Sequence, residues 1–208
     1  MKTWNNRNVQ QKNQGDVSEL NVSDVEILIP EKEIKQRVSV LGEQITKDYP
    51  DGDLVVVGVL KGAFVFMADL IRSIHRSMDL DFLEVSSYGN SSVSSGQVHI
   101  MKDLKHSIEG KHLLLVEDIL DTGNTLNHVV HIMQQRHPAS IKICCLLDKP
   151  ARRTAPIRCD YRGYQIPDEF VVGYGLDYAE RYRNYPDICR VLPAAVERIS
   201  RELKQKNQ

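Results

Sequence analysis

The chain has 208 residues, 41% of them hydrophobic, and 27 basic side chains stand against 28 acidic ones for a formal net charge of -1. Such a length and apolar content suit one globular domain with a substantial core. The charge balance argues against a broad electrostatic grip on nucleic acid or on an anionic membrane, while leaving room for small basic pockets that hold one phosphate. No apolar stretch reaches bilayer-spanning length, and the Asn-, Gln- and Lys-rich N-terminus lacks a secretory apolar segment, so the reading is cytoplasmic. Cys144, Cys145, Cys159 and Cys189 include no C-x-x-C pair and are read as buried free thiols of a reducing compartment.

Residues 1 to about 22 are too polar to offset their ordering entropy and read as a flexible tail. Ile27 to Ile29 form a short apolar run that meets Pro30, with Glu31 and Glu33 suited to the positive end of a following helix. Ile34, Val38, Leu41 and Ile45 mark one face of that helix. Leu54 to Leu60 is a continuous β-branched run, as expected of a strand buried on both faces of a parallel sheet. The loop Lys61-Gly62-Ala63 leads to a predicted helix carrying Phe66, Leu70, Ile74 and Met78. Strands are expected over 80–88 and 97–101 around a Gly/Ser-rich segment, Gly89 to Gly96, of loop composition.

His112 to Val116 is a second buried-strand run, followed by a predicted loop from Glu117 to Gly123 and a helix with Leu126, Val129, Val130 and Met133. Ile141 to Leu147, Phe170 to Val172 and Val191-Leu192 complete the strand-like segments. Apolar strands alternating with amphipathic helices predict an α/β fold with a mainly parallel twisted sheet flanked by helices. Ligands of such sheets sit at the carboxyl ends of the strands, where the loops beginning at Lys61 and Glu117 fall.

The run Val116-Glu117-Asp118-Ile119-Leu120-Asp121-Thr122-Gly123-Asn124-Thr125-Leu126 concentrates the chemistry. Carboxylates of Glu117 and Asp118 suit sugar hydroxyls or a hydrated Mg²⁺. Thr122, Gly123 and Thr125 supply hydroxyls and close backbone approach where free N–H groups at a helix start attract a phosphate. An acidic loop capped by Thr122, merely a well-formed helix start, is the plain alternative. An EF-hand is excluded because Leu120 stands where an oxygen ligand is needed, and a Walker loop because G-K-[ST] is absent.

This run resembles the phosphoribosyl pyrophosphate motif of type I phosphoribosyltransferases, most closely the hypoxanthine-guanine branch. L-K-G-A at 60–63, S-S-Y-G at 86–89, L-L-D-K-P at 146–150 and F-V-V-G-Y-G-L-D-Y at 170–178 agree in the same order, and the resemblance covers about residues 24 to 200. It implies one transferase domain over 23–208, with a core at about 30–160 and a small hood from about 160–190 plus the N-terminal segment. It further implies transfer of ribose 5-phosphate from phosphoribosyl pyrophosphate to a 6-oxopurine, with Mg²⁺ as cofactor.

By that resemblance Asp121 exchanges a proton with purine N7, and Glu117 and Asp118 hold the ribose hydroxyls directly or through Mg²⁺. Asp121, Thr122, Gly123, Asn124 and Thr125 wrap the 5-phosphate, although Asn124 stands where relatives carry Lys. Lys149 faces the 6-oxo group, Phe170 stacks on the purine, and the Val171 backbone reads its edge. Lys61 and Gly62 contact pyrophosphate beside an unusual Leu60–Lys61 peptide, Asp177 binds a second Mg²⁺, and Arg183 contacts pyrophosphate. Ser87 and Tyr88 begin a segment that closes over the site, as exclusion of water from this chemistry requires. Relatives form dimers or tetramers, so a homo-oligomer is implied, with no nucleic-acid or membrane partner. Two rival readings are a nucleotide-sensing regulator that binds RNA, which the balanced charge disfavours, and a transferase preferring xanthine.

Overall fold

A computed structural model gives the architecture of the chain and describes residues 20–87 and 98–206. In chain order the elements are β1 (Val25–Ile29), α1 (Glu31–Asp48), β2 (Leu54–Leu60), α2 (Phe64–Arg72), β3 (Asp79–Ser87), β4 (Val98–Lys102), β5 (His112–Leu120), α3 (Asn124–Gln134), β6 (Ser140–Asp148), β7 (Tyr161–Gln165), β8 (Val171–Val172), β9 (Ile188–Val191) and α4 (Pro193–Lys206). Six strands form one sheet in the order β4-β3-β2-β5-β6-β7. Every neighbouring pair from β3 to β7 is parallel, and β4 alone runs antiparallel at its edge. The α/β class read from the sequence is the observed one.

Strand alternation sorts the core into two layers. Leu114 and Val116 of β5 join Ile34, Val38 and Leu41 of α1 and Phe66 and Leu70 of α2 on one face. Leu113 and Leu115 join Leu126, Val129 and Met133 of α3 on the other. Each such side chain, fully withdrawn from water, contributes about 1.5–3 kcal/mol, so β2 and β5 at the sheet centre are firmly held. A second, antiparallel sheet of order β1-β9-β8 is not hydrogen-bonded to the first but shares its core through Ile29, Val171 and Ile188.

Four differences from the sequence reading have physical causes. β5 continues to Leu120, because β6 keeps pairing with it through Leu120↔Asp148; Glu117 and Asp118 therefore project from a strand, not from a loop. α2 stops at Arg72 instead of carrying Met78. A Cβ on Gly42 of α1 would lie 2.3 Å from the Ser73 carbonyl oxygen, and Arg76 donates to the carbonyls of Tyr49, Asp51 and Gly52, so the chain is drawn off the helix toward β3. Leu20 is buried with Val172, Cys189 and Val191, and its N–H donates to the Tyr182 hydroxyl at 2.7 Å, within the stretch that composition marks as tail. Finally, Cys145 and Cys159 are joined as a disulfide, which corrects the reading of four free thiols; Cys144 and Cys189 are free and buried. The β6–β7 register, with Cys144 opposite Tyr161, is what brings Cys159 beside β6.

β7 and α4 have no counterpart in the sequence reading. Tyr-Arg-Gly-Tyr-Gln carries no aliphatic run, and α4 is highly polar apart from a few residues such as buried Ala195. Among the described residues no helix is long and apolar enough to cross a membrane.

Candidate active site

The carboxyl end of β5 supplies the acidic groups. Asp118 Oδ1 accepts the Ile119 N–H at 2.8 Å, and Gly62 sits so close that a Cβ there would fall 1.6 Å from Asp118 Oδ2. Gly175 in turn could carry no Cβ without meeting the Gly62 carbonyl oxygen at 2.3 Å. The loop after β2 is thus wedged between the Asp118 carboxylate of β5 and the loop after β8, which brings two loops against the end of that strand. The Leu60–Lys61 peptide at its head is cis.

Burial drives the Glu117 carboxyl well above its ordinary range, with the Asp118 charge adding to the effect. Burial also pushes Asp118 up to about 6, against the lowering effect of its bond from the Ile119 N–H. Glu117 Oε2 is buried without a hydrogen-bond partner. Two crowded acidic groups, one with an orphaned oxygen, fit a cation or donating hydroxyls. Among the described residues no three His, Cys, Asp or Glu side chains form a metal cage. Mg²⁺ does not require one, since it is commonly held by one or two carboxylates together with substrate oxygens and water.

The corner then turns through Gly123, whose φ of 81° is left-handed and whose Cβ would lie 2.5 Å from Ile157. Gly123 caps α3 in place of Thr122. The Thr122 carbonyl instead accepts the N–H groups of Thr154 and Ala155 at 3.0 and 3.1 Å, while Asn124 Oδ1 accepts the Thr154 hydroxyl at 3.1 Å. Asn124 thus fixes the corner by its side chain.

Lys149 follows β6 and is only 6% exposed, so it is not a solvated surface charge. Its N–H donates to the Leu120 carbonyl at 3.0 Å, and its Nζ donates to the Glu169 carbonyl at 2.6 Å and lies 3.8 Å from Asp168. Phe170 is 43% exposed and meets Tyr178 edge-on at 5.6 Å, so it is not a core residue. Val171 opens β8. Asp118, Asp121, Lys149, Phe170, Val171 and Asp177 line one cavity of about 950 Å³. Arg183 Nη2 lies 2.9 Å from Asp177 Oδ1, and Asp177 Oδ2 accepts the Glu180 N–H at 2.9 Å. Ser87 ends β3; Tyr88 and the segment Gly89 to Gly96 lie outside the described residues.

The sequence reading missed two groups that the fold brings in. Arg152 places Nε 2.8 Å from Asp121 Oδ1, an ion pair rather than an aligned hydrogen bond, and Nη1 3.2 Å from Asp168. Glu180 pairs with Lys61 at 2.8 Å. Position three after Lys149 in K-P-A-R-R was the available pointer to Arg152; nothing in A-E-R-Y-R set Glu180 apart from a solvated charge.

The central strand of the parallel sheet thus ends in paired carboxylates, with Asp118 beside a cavity that a buried lysine and an exposed aromatic also line, and the comparisons with known proteins place this chain among the transferases of activated sugar phosphates. The family model for the phosphoribosyl transferase domain matches residues 24–179. The hypoxanthine-guanine phosphoribosyltransferase of Bacillus subtilis is 53% identical over 175 residues, 84% of this chain and 97% of that protein. The hypoxanthine phosphoribosyltransferase of Escherichia coli is 52% identical over 81% of this chain and 96% of its own. A crystal structure of a hypoxanthine phosphoribosyltransferase from Staphylococcus aureus superposes with a TM-score of 0.80 at 50% identity, covering 83% of this chain and 94% of that one. The chain belongs to the phosphoribosyltransferase family.

Proposed function

We propose that the protein is a purine-salvage enzyme that transfers ribose 5-phosphate from phosphoribosyl pyrophosphate to hypoxanthine, guanine or both, giving the nucleoside monophosphate and pyrophosphate. The observation that supports it best is that Asp121, Lys149 and Phe170 line one cavity with Asp118 and Asp177. A base held by Lys149 and Phe170 would then sit beside the carboxyl end of β5.

In the forward direction N9 of the base bonds to C1 of the ribose as the bond from C1 to pyrophosphate breaks. The proton released from N7 passes to Asp121. The ribose carbon gains oxocarbenium character, so holding base and sugar in line supplies much of the acceleration. Lys149 donates to the 6-oxo group, and an amino group at that position, as in adenine, would leave this buried lysine unanswered. Phe170 offers its face to the purine, and the Val171 backbone its edge contacts.

The α3 start, with Thr122 through Thr125, takes the 5-phosphate. Glu117 and Asp118 hold the ribose hydroxyls and, with Asp177, are the groups for Mg²⁺. That ion supplies charge neutralisation for the departing pyrophosphate. Lys61, Gly62 and Arg183 contact pyrophosphate. We assign the enzyme to the cytoplasm as a homodimer or homotetramer. Steady-state kinetics with hypoxanthine, guanine, xanthine and adenine, each with and without Mg²⁺, test the reading. Turnover confined to 6-oxopurines supports it, and turnover of adenine at a comparable rate rejects it.

A further inference from the structure

We propose that Glu180 is a built-in competitor for pyrophosphate, occupying the cations that group would use and thereby setting how tightly it is held and how readily it leaves. The inference rests on reading Lys61 and Arg183 as pyrophosphate contacts. Glu180 divides its two oxygens between them: Oε2 lies 2.8 Å from Lys61 Nζ, and Oε1 lies 3.4 Å from Arg183 Nη2. Lys61 comes from the loop after β2 and Arg183 from the loop after β8, so only the fold brings both charges to one carboxylate. The Lys61 partner, first by its hydrogen bond and then by its charge, holds the Glu180 carboxyl below its usual range.

The backbone aims this carboxylate. Ala179, Glu180 and Tyr182 adopt φ of 51°, 64° and 73°, left-handed values that residues with a Cβ avoid. The Glu180 N–H is tied to Asp177 Oδ2 at 2.9 Å. Three unfavourable residues in four positions mark a turn shaped for a purpose, not a relaxed loop.

The strength of the contact also fits the role. The Lys61 and Glu180 side chains are 58% and 64% exposed, and such pairs contribute little free energy. A carboxylate held so lightly biases the site against weak anions, yet gives way to the more highly charged pyrophosphate. Without a displaceable anion, the same two cations would hold the product longer.

The test is titration of inorganic pyrophosphate, with Mg²⁺, into the full-length wild type, Glu180→Gln, Lys61→Ala, Arg183→Ala and the Lys61→Ala/Glu180→Gln double variant. Glu180→Gln is expected to bind pyrophosphate about two- to fivefold tighter. Its KM for phosphoribosyl pyrophosphate should fall in step while kcat does not rise. In the Lys61→Ala background most of that gain should vanish, because the two residues act as a pair. Unchanged or weaker pyrophosphate binding by Glu180→Gln overturns the proposal even when Lys61→Ala and Arg183→Ala weaken binding. If those two variants bind pyrophosphate as wild type does, the reading of the cations falls first, and the competitor role falls with it.

Discussion

The corner from β5 into α3 and the loop from Gly173 to Arg183 face the same cavity but differ in what is added to their backbone bonds. The corner is largely backbone work: a buried strand, a left-handed glycine, and carbonyl and amide bonds to Thr154 and Ala155, with the Arg153 and Asn124 side chains adding bonds of their own. The facing loop has backbone bonds of its own, Tyr174 N–H to the Tyr185 carbonyl and Gly175 N–H to the Arg183 carbonyl among them, but it adds partly exposed ion pairs in which Arg183 bridges Asp177 and Glu180. A backbone-built corner cannot shift without disturbing the sheet, which suits a group that must meet the reacting atoms in one geometry. Ion pairs at partial exposure can exchange partners, which suits a region that binds and releases an anion. Substitutions in the corner should therefore cost turnover or stability, and those in the loop should cost or gain affinity.

The largest effect is expected at Asp121. Asp121→Asn keeps the shape but cannot take the N7 proton, so kcat should drop by about 100- to 10,000-fold while phosphoribosyl pyrophosphate still binds. Near-normal single-turnover rates would remove Asp121 from the proton path. Next comes Gly123→Ala, which combines a disfavoured φ with a Cβ 2.5 Å from Ile157; a loss of about 2–4 kcal/mol in denaturant unfolding is expected. A cost under about 0.5 kcal/mol would show the corner to be softer than a buried strand end should be. Lys149→Ala leaves the Glu169 carbonyl unanswered and the base without its 6-oxo donor, so the KM for purine should rise about 10- to 100-fold with pyrophosphate binding little changed. Equal losses for both ligands would place Lys149 in the general packing of the cavity.

The same division explains what could be read from residues alone. β2 and β5 announce themselves because a strand buried on both faces must be a continuous apolar run, whereas Gly, Thr and Asn at a strand end suit a plain capped helix start equally well, so the corner was legible only through the resemblance of the whole run. The extension of β5 to Leu120 was hidden, since pairing with β6 overrides the polar character of Glu117 and Asp118. β7 was hidden for the same reason: partner strands make Tyr161–Gln165 a strand where composition does not. Glu180 was illegible because an ion pair between distant segments leaves no periodicity or spacing behind, and Arg152 left only its place three after Lys149. Helix α2 was read too long because its end is set by Gly42 of another helix and by carbonyls that Arg76 reaches.

The smallest expected effect sharpens the comparison most, because it separates function from stability within the corner. Burial raises the Asp118 carboxyl to about 6, above its ordinary value near 3.8. Between those values the folded chain keeps a proton that the unfolded chain has released, so stability falls as pH rises through that window and the cost persists at neutral pH. Glu117 shifts in the same direction and adds to it. Asp118→Asn, neutral at every pH, should therefore be more stable than the wild type by about 1–3 kcal/mol at about pH 7.5, with the gap closing near pH 4. The same variant should lose most of its turnover, since it gives up a carboxylate meant for ribose and metal. Thermal unfolding of both proteins across that pH range reads the gap directly, and a gap that is absent or independent of pH would mean the carboxylates carry no strain for a ligand to relieve. A corner that is more stable when its acidic group is removed is one built to be completed by what it binds.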